Sequence, residues 1–232
     1  MGWLRSSKII ASLILGALLL VAIVLWTLSI SSHEDWQYSV LYTDLPEVSG
    51  LQSHDKSIYV TLETRNYDGK LVSIVDGNRS TVVSGLQKPD GLTTSLGSLV
   101  YTQEFGESPV YEVINGVPHG LFITDCAEGI DSTLNGDLYV VEDRLGGRVL
   151  KYERSTGKIS ELATDLESGE GICAMESGVV YFGERDKGIV YKIQDGEISE
   201  YLTALNSPGF LLCDDESQSI WITEDRRNYG RL

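Results

Sequence analysis

The sequence is poor in the residue types on which many common binding and catalytic sites depend. It has three cysteines, three histidines and two methionines, and its 18 lysines and arginines face 34 aspartates and glutamates, for a formal net charge of −16. So acidic a chain repels phosphate backbones and has no basic patch to offset the repulsion, which argues against nucleic-acid binding. The GxSxG, P-loop and HExxH motifs are absent, so no residue anchors a serine hydrolase, a nucleotide hydrolase or a zinc protease.

The three cysteines predict neither a metal centre nor a disulfide framework. Cys126, Cys173 and Cys213 are odd in number, widely spaced and without a CxxC pair, which argues against both kinds of site. Cys173 and Cys213 lie in the apolar runs GICAM and GFLLC. We therefore expect them to be small buried hydrophobic side chains.

Residues 9–30 form a single uncharged apolar run of helical character. At about 1.5 Å of rise per residue, this run is long enough to cross a hydrocarbon core of roughly 30 Å. A cleaved signal peptide is the alternative, although its apolar core is normally only about 7–15 residues long. Arg5 and Lys8 precede the run and Glu34 and Asp35 follow it, so we expect residues 1–8 to be cytoplasmic. The prediction is a single-pass anchor, a linker at residues 31–36 and an extracytoplasmic domain at residues 37–232.

Beyond the anchor, the sequence repeats with a period near forty residues. Each repeat begins with a glycine and an apolar residue, and a run rich in β-branched and aromatic residues follows about ten residues later. Two further β-like runs follow, separated by turn signals such as Asp76-Gly77, Asn115-Gly116, Thr156-Gly157 and Asp195-Gly196. Four antiparallel strands at this period are the signature of β-propeller blades. The predicted fold is therefore all-β, with blades at about residues 50–86, 87–127, 128–166, 167–205 and 206–232.

Closure of the ring is open to two interpretations. The last repeat supplies two strands and only the start of a third, whereas residues 38–45 read as a fourth strand with no blade before it. In one interpretation residues 37–48 complete the last blade and close a five-bladed ring without exposed sheet edges. In the other, which we favour, the chain is a truncated six-bladed propeller.

Two sets of carboxylates are predicted to point to one mouth of the propeller. The first set precedes the repeat glycine in three consecutive blades, and the second set ends every second strand. Carboxylates that converge on a narrow channel must protonate, disperse into water or hold a cation. Oxygen ligands at this density suit Ca²⁺ or another hard divalent ion. The first set is our candidate metal site, and the second set is either a second ring of ligands or a set of scaffold groups that accept backbone N–H bonds. The first set is Asp90, Glu128 and Glu170, and the second is Glu63, Glu104, Glu142, Glu184 and Glu224.

Two of these segments also resemble a known family. Pro89-Asp90-Gly91-Leu92, continuing to LGSLVYTQE, resembles the PDGL…G.LWVA pattern of regucalcin/gluconolactonase-like six-bladed propellers. The segment Gly169–Gly171, continuing to SGVVYFGE, resembles their GEGP…LYWVD segment, with Ile172 in place of the proline. The blade shape is also similar to that of NHL-repeat proteins. The resemblance covers roughly residues 37–232, and its motifs are short.

The resemblance implies a divalent ion, commonly Ca²⁺, on the propeller axis. In that family Glu, Asn and Asp hold the ion, which assists the hydrolysis of a lactone ester. Glu170 matches the family's glutamate ligand and Asp90 its aspartate ligand. No asparagine precedes a repeat glycine in this sequence, and Glu128 occupies one of the three acidic positions instead. Two functions follow as expectations: a metal-dependent lactonase or esterase acting on a small-molecule ester, or a non-enzymatic propeller that displays loops to a protein or glycan.

Overall fold

The computed structural model describes residues 37, 39–226 and 229–231 of the chain. The chain divides into two compact units, residues 1–43 and 44–232, and every described strand belongs to the second unit. No helix that could span a membrane occurs among the described residues. The predicted anchor at residues 9–30, the cytoplasmic segment 1–8 and the linker at residues 31–36 lie outside them.

The second unit consists of antiparallel sheets in which each strand pairs with the next one along the chain. The first sheet is formed by β1 (Val48–His54), β2 (Ser57–Leu62), β3 (Gly69–Val75) and β4 (Asn78–Leu86). The second is formed by β5 (Pro89–Ser95), β6 (Ser98–Gln103), β7 (Glu107–Ile114) and β8 (Val117–Asp125). The third is formed by β9 (Ala127–Ser132), β10 (Leu138–Glu142), β11 (Gly147–Tyr152) and β12 (Ile159–Leu166).

The fourth sheet repeats this pattern, and the fifth shows three strands in the described residues. The fourth is formed by β13 (Gly169–Ala174), β14 (Val180–Glu184), β15 (Ile189–Gln194) and β16 (Glu197–Leu202). The fifth is formed by β17 (Pro208–Asp214), β18 (Ser219–Arg226) and β19 (Tyr229–Arg231). The prediction of an all-β chain built from repeated four-stranded antiparallel sheets is confirmed.

Tight two-residue turns connect the third and fourth strands in the first, second and fourth sheets, as the sequence predicts, whereas the predicted turn at Thr156-Gly157 lies in a longer loop between β11 and β12, where only Gly157 has positive φ. Both central residues have positive φ at Asp76-Gly77, at Asn115-Gly116 and at Asp195-Gly196. Positive φ at both positions is the geometry of a type I′ turn, whose twist matches that of the flanking strands. Asn, Asp and Gly tolerate this conformation best, which is why these dipeptides mark the hairpins.

Consecutive sheets pack against each other through a separate hydrophobic cluster at each interface. Between the third and fourth sheets, for example, Tyr139 and Val149 pack with Ile172 and Phe182. Similar clusters join the first sheet to the second, the second to the third, and the fourth to the fifth. The core is therefore a series of sandwiched layers, as expected where no blade buries both of its faces alone.

The first strands of the sheets line a common cavity of about 450 Å³. The fourth residue of each first strand contributes to its wall, so the five sheets are arranged around one space, which we call the axial cavity. These residues are Leu51, Leu92, Ile130, Ile172 and Leu211.

The repeat glycines allow consecutive first strands to approach closely. A Cβ atom on Gly91 would lie 2.5 Å from the carbonyl oxygen of Glu128, and one on Gly129 would lie 2.6 Å from that of Glu170. Any side chain at these positions would push the neighbouring strand away. The recurrence of glycine therefore has a steric cause, because only glycine leaves room for the next backbone.

The strand predicted at residues 38–45 is not formed over the described residues 39–45. Residues 39–45 belong to no strand, and among the described residues the fifth sheet holds only β17–β19. The end of this segment is held against the first sheet instead, because Arg79 pairs with the Asp44 carboxylate and Leu45 packs beside Val60 and Val72. Among the described residues, no strand from residues 37–48 joins the fifth sheet, and Val48 begins β1 of the first sheet; the way in which the ring closes stays a prediction.

The prediction that the cysteines form no disulfide is also wrong. Cys173 on β13 and Cys213 on β17 form a disulfide with a Cα–Cα distance of 5.5 Å, and Cys126 is free. The sequence separation of 40 residues equals one repeat, so the two cysteines occupy neighbouring first strands that pack together. A spacing of one repeat places the two cysteines on neighbouring first strands, and the packing of the fourth sheet against the fifth brings their sulfur atoms within bonding distance.

Loss of this disulfide should destabilise the protein. A cross-link that closes a loop of 40 residues contributes roughly 4 kcal/mol by restricting the unfolded chain. We expect the Cys173→Ala/Cys213→Ala variant to melt at least about 8 °C below the wild type, as measured by circular dichroism. Cys126→Ala, which removes only the free thiol, should change the midpoint little. Equal midpoints for the double variant and the wild type would contradict the disulfide.

Candidate metal centre

Asp90, Glu128 and Glu170 occupy the same position in three successive sheets. Each is the second residue of its sheet's first strand. Because consecutive first strands touch at the repeat glycines, the three carboxyl groups lie close enough to interact electrostatically: Asp90 and Glu170 both raise the pKa of Glu128. The three residues that the sequence selected thus influence one another electrostatically, but neither group of carboxylates close enough to share an ion contains more than one of them. In the fifth sheet the corresponding residue is Gly209, which carries no side chain to extend the set.

The second predicted set separates into two groups. In each sheet, one residue at the end of the second strand donates its backbone N–H group to the carbonyl of the residue just before the first strand. These donors occupy equivalent positions in the five sheets. They are Glu63, Glu104, Asp143, Arg185 and Asp225, with donor–acceptor distances of 2.7 to 2.9 Å. Only Glu63 and Glu104 of the predicted set are among them. Glu142, Glu184 and Glu224 lie one residue earlier, and a shift of one residue places a strand side chain on the opposite face.

These three shifted glutamates are scaffold groups. Glu142 accepts a hydrogen bond from the backbone N–H of Asp125 at 2.9 Å, and Glu184 accepts one from that of Glu167 at 2.8 Å. Glu224 accepts the corresponding bond from Asn206 at 2.6 Å. Each carboxylate therefore fixes the loop that leads into its own sheet. Glu142 also binds Arg148 through two hydrogen bonds of 2.7 and 2.9 Å.

The remaining carboxylates form one cluster, which we call the acid cluster. It contains two groups of three whose carboxylate oxygens lie within 4.8 Å of one another, and Glu104 belongs to both. The first group is Glu63, Asp90 and Glu104, and the second is Glu104, Glu128 and Asp143. Glu170 belongs to the cluster for two reasons. Its negative charge raises the pKa of Glu128, and it pairs with the same cationic side chain as Asp143.

Two basic side chains enter the acid cluster. Lys88 lies between Glu63, at 3.0 Å, and Glu104, with which it is also in contact. Arg185 binds Glu170 at 2.6 Å and Asp143 at 3.1 Å. Sequence analysis selected neither base, nor Asp143. The sequence signal for these residues was their place in the repeat. Lys88 comes just before a first strand, and Asp143 and Arg185 come just after second strands.

Two carboxylate oxygens of the acid cluster are buried without a hydrogen-bond partner. Asp90 is fully buried; its Oδ1 accepts a hydrogen bond of 2.5 Å from the Ser49 hydroxyl, but its Oδ2 has no partner. Glu128 is 7% exposed, and its Oε2 has no partner. Buried polar atoms are nearly always hydrogen-bonded, so these two oxygens need a bound cation, a water or a proton held between the neighbouring carboxyl groups of Asp90 and Glu128.

Burial and mutual repulsion raise the pKa values of this cluster. Burial is the main cause at both Asp90 and Glu128, and the charge of Glu63 adds to it at Asp90. Burial also raises the pKa of Glu170 to about 7, although Arg185 opposes the change. Low dielectric and like charges both disfavour carboxylate anions. The two basic side chains therefore do not supply enough positive charge to balance the carboxylates of the acid cluster.

The axial cavity adjoins the acid cluster. Ser49, which bonds Asp90, also lines the cavity, as does the apolar side chain of Leu92. Asp131 is a further carboxylate on this wall that sequence analysis missed. Its two oxygens accept hydrogen bonds from the backbone N–H groups of Ser132 and Ala174 at 2.8 and 2.9 Å. Asp131 therefore ties the third sheet to the fourth, while burial raises its pKa to about 6.

Comparison with known proteins identifies the architecture. No family model matches the sequence, and no curated protein sequence matches it either. A nidogen chain from a nidogen/laminin complex superposes with a TM-score of 0.68 at 17% identity, over 78% of this chain and 73% of that one. A gluconolactonase from Xanthomonas campestris gives a TM-score of 0.68 at 12% identity, over 79% of this chain and 72% of that one. Virginiamycin B lyase from Staphylococcus aureus gives 0.59 at 18% identity, over 76% and 62%.

These similar structures are six-bladed β-propellers. The fold of this chain is that of a β-propeller. The resemblance to gluconolactonase-like propellers, noted from short sequence motifs, is thereby confirmed for the fold. At identities of 12 to 18% the similarity extends to the fold alone, so the chemistry must be argued from the acid cluster of this propeller.

The distinct roles of the glutamates can be tested on the two carboxylates that share Arg148. Glu142 is fully buried, whereas Glu161, which contacts Arg148 at 3.1 Å, is half exposed. We expect Glu142→Ala to cost roughly 2–3 kcal/mol, because a buried N–H and a guanidinium lose their acceptor. Glu161→Ala should cost less than about 1 kcal/mol. Urea denaturation measures both, and equal losses would contradict the scaffold role of Glu142.

Proposed function

We propose that this propeller binds a divalent cation at the acid cluster and hydrolyses a lactone or another carboxylic ester there. The observation that carries the proposal is the pair of unpartnered buried oxygens, Asp90 Oδ2 and Glu128 Oε2, within a cluster that has more carboxylates than bases. An ion coordinated by Glu128 Oε2 next to Asp90 would relieve the electrostatic cost of burying both carboxylates.

The donor set fits a hard divalent ion. Every candidate ligand is a carboxylate oxygen, which suits Ca²⁺, and neither cysteine nor histidine belongs to either group of three. Glu104, Glu128 and Asp143 would hold the ion, and Asp90 lies beside them. Glu170 was placed among the ligands in our sequence prediction. Its bond to Arg185 supports a role next to the ion instead.

The residues around the site can support ester hydrolysis. A bound divalent cation supplies Lewis-acid polarisation of a carbonyl group and makes water easier to deprotonate. Glu170 would accept or return a proton at its carboxylate; burial raises its pKa to about 7 before an ion binds, and a bound cation beside it would lower that pKa. Leu92 and Ile130 line the adjoining axial cavity and would pack against the apolar part of an ester, excluding water from it.

The comparisons are in keeping with this assignment. The Xanthomonas campestris protein is a gluconolactonase, and the Staphylococcus aureus protein is a lyase. Propellers host unrelated functions, so the fold by itself leaves the reaction open. The acid cluster is what favours a metal-dependent hydrolase over other activities.

Calcium should stabilise the folded chain. We expect the melting midpoint of the full-length chain in mild detergent to be at least about 5 °C higher in millimolar Ca²⁺ than in EDTA, because a ligand of the native state stabilises it by mass action. Asp90→Asn/Glu128→Gln should abolish the difference. Asp186→Asn is the matched control, since it removes an exposed carboxylate of the Arg185 loop and should keep the difference. Identical wild-type midpoints in Ca²⁺ and EDTA would remove the metal from the proposal.

Hydrolysis is tested separately with a panel of lactones and aryl esters. Activity should disappear with EDTA and return with Ca²⁺. Glu170→Gln should lower kcat by roughly 10²-fold or more, the usual size of a general acid–base contribution, while the calcium-dependent melting shift remains. A calcium shift without activity on any ester would leave a metal-binding propeller and reject the hydrolase.

A non-enzymatic binding module is the second candidate. Large apolar side chains are exposed on the fifth sheet, namely Phe210, Leu212 and Trp221, and the same three line the axial cavity. A propeller of similar fold occurs in the nidogen/laminin complex. Exposed apolar side chains grouped on one sheet are typical of surfaces that bind another protein. Under this alternative the loops would bind a protein or glycan. Activity that depends on Glu170 would exclude this alternative as the principal function.

We further propose that the complete ring has six blades. Leu212 is 64% exposed, whereas Cys173, at the corresponding place in the fourth sheet, is buried by its neighbour. A sixth sheet against the fifth would cover Leu212, but its first strand would have to lie farther away than at the other interfaces, because Phe210 stands where the other sheets have the repeat glycine. In that case Leu212→Asp should destabilise the full-length chain by more than about 2 kcal/mol, whereas a change within about 0.5 kcal/mol would reject the covering sheet.

Finally, we propose that the domain is extracytoplasmic and held by an N-terminal membrane helix at residues 9–30. The Cys173–Cys213 disulfide supports this location, because such bonds persist in oxidising compartments. Protease added to intact cells should then degrade the domain, and protection of the domain would reject the proposed orientation.

A further inference from the structure

The acid cluster has two halves that differ in one respect. The half formed by Glu63, Asp90 and Glu104 contains the ammonium group of Lys88, whereas the half formed by Glu104, Glu128 and Asp143 shares only Glu104 with that lysine. The spacing of the carboxylate oxygens, within 4.8 Å in each half, would suit a cation in both. The two halves therefore compete for the same bridging carboxylate.

Lys88 is fixed in place by the backbone around it. Its N–H donates to the carbonyl of Thr64 at 3.1 Å, and its carbonyl accepts a hydrogen bond from the N–H of Glu104 at 2.9 Å. Its side chain is only 15% exposed. An ammonium group carries three donors on a compact charge, so it can contact several carboxylates at once, as a small cation does.

We propose that Lys88 is a built-in cation that occupies the first half of the acid cluster, so that the protein binds one divalent ion instead of two. This inference rests on the proposed function. It adds that the ion binds to the second group of carboxylates, Glu104, Glu128 and Asp143, and not to the first. Lys88 thereby sets both the number of ions and their affinity, and it acts as a positioning residue for Glu104.

The charge distribution supports this division. Lys88 contacts Glu63 and Glu104 but leaves Asp90 Oδ2 unpartnered, while its charge lowers the pKa of both Asp90 and Glu128. An ammonium and a divalent ion on the same three carboxylates would repel each other strongly at this separation. A second ion could enter the first half only after Lys88 had left it.

The number of bound ions distinguishes this arrangement from a simple acidic pocket. Isothermal titration of the full-length chain with Ca²⁺ should give one tight ion for the wild type and two for Lys88→Met, with the first ion bound about tenfold more tightly once the competing charge is gone. Lys88→Gln should behave in the same way and provides a second neutral variant if Lys88→Met folds poorly. Lys88→Arg, which retains the charge, should again bind one ion.

Lys187→Met is the matched control. Lys187 pairs with Glu184 at 2.8 Å and Glu167 at 3.4 Å, both outside the acid cluster. Its removal changes the net charge equally, so it should leave one ion with an affinity close to that of the wild type. A gain in affinity as large as that of Lys88→Met would mean that net charge alone is responsible, which would overturn the inference.

The remaining outcomes separate this inference from the proposed function. One ion of unchanged affinity in the wild type and in both neutral Lys88 variants would overturn the role of Lys88 and leave the metal site standing. No ion in the wild type but one in Lys88→Met would support Lys88 as the resident cation and reject the metal site as proposed. No ion in any of these proteins would overturn both.

Discussion

The close contact between consecutive first strands is the constraint on which the rest of the molecule depends. At Gly91 and Gly129 the space of a missing side chain is filled by the backbone carbonyl of the next sheet, and the residues that supply these carbonyls are Glu128 and Glu170. The close approach at the repeat glycines therefore packs neighbouring sheets together and also places the acidic residues of successive first strands near one another. A threonine hydroxyl strengthens the contact in the second sheet, where Thr102 donates to the carbonyl of Glu128 at 2.9 Å. The acid cluster is therefore a consequence of the way in which the sheets pack.

Gathering carboxylates in this way has an electrostatic cost that the protein offsets only in part. Lys88 and Arg185 reach into the acid cluster from the loops beside it, yet the pKa of Glu170 is still raised to about 7 and two oxygens remain unpartnered. A site of this kind is less stable than a neutral one would be, because like charges in low dielectric repel. Residues that contribute function often reduce stability in this manner. The excess of carboxylates is the property that a bound cation would use.

Glutamates of similar local sequence have opposite roles in this molecule. Glu104 follows its second strand and faces the acid cluster, whereas Glu142 ends its strand and fixes a loop through the N–H of Asp125. Both follow a β-like run at almost the same point of the repeat. Because strand side chains alternate between faces, one residue of register separates a candidate metal ligand from a scaffold group. Burial differs accordingly: Glu142 is fully buried and Glu104 is not.

The period of forty residues, the paired turn residues and the repeat glycines were sufficient to predict repeated four-stranded sheets and the convergence of Asp90, Glu128 and Glu170. These features are local or strictly periodic, so they can be recognised in the sequence without knowledge of the tertiary structure. The register within each repeat cannot be read in this way, which is why Glu142, Glu184 and Glu224 were grouped with Glu104. The Cys173–Cys213 disulfide and the positions of Lys88 and Arg185 depend on distances between neighbouring sheets. Only the folded ring decides such distances, because packing brings together atoms that the sequence separates by whole repeats.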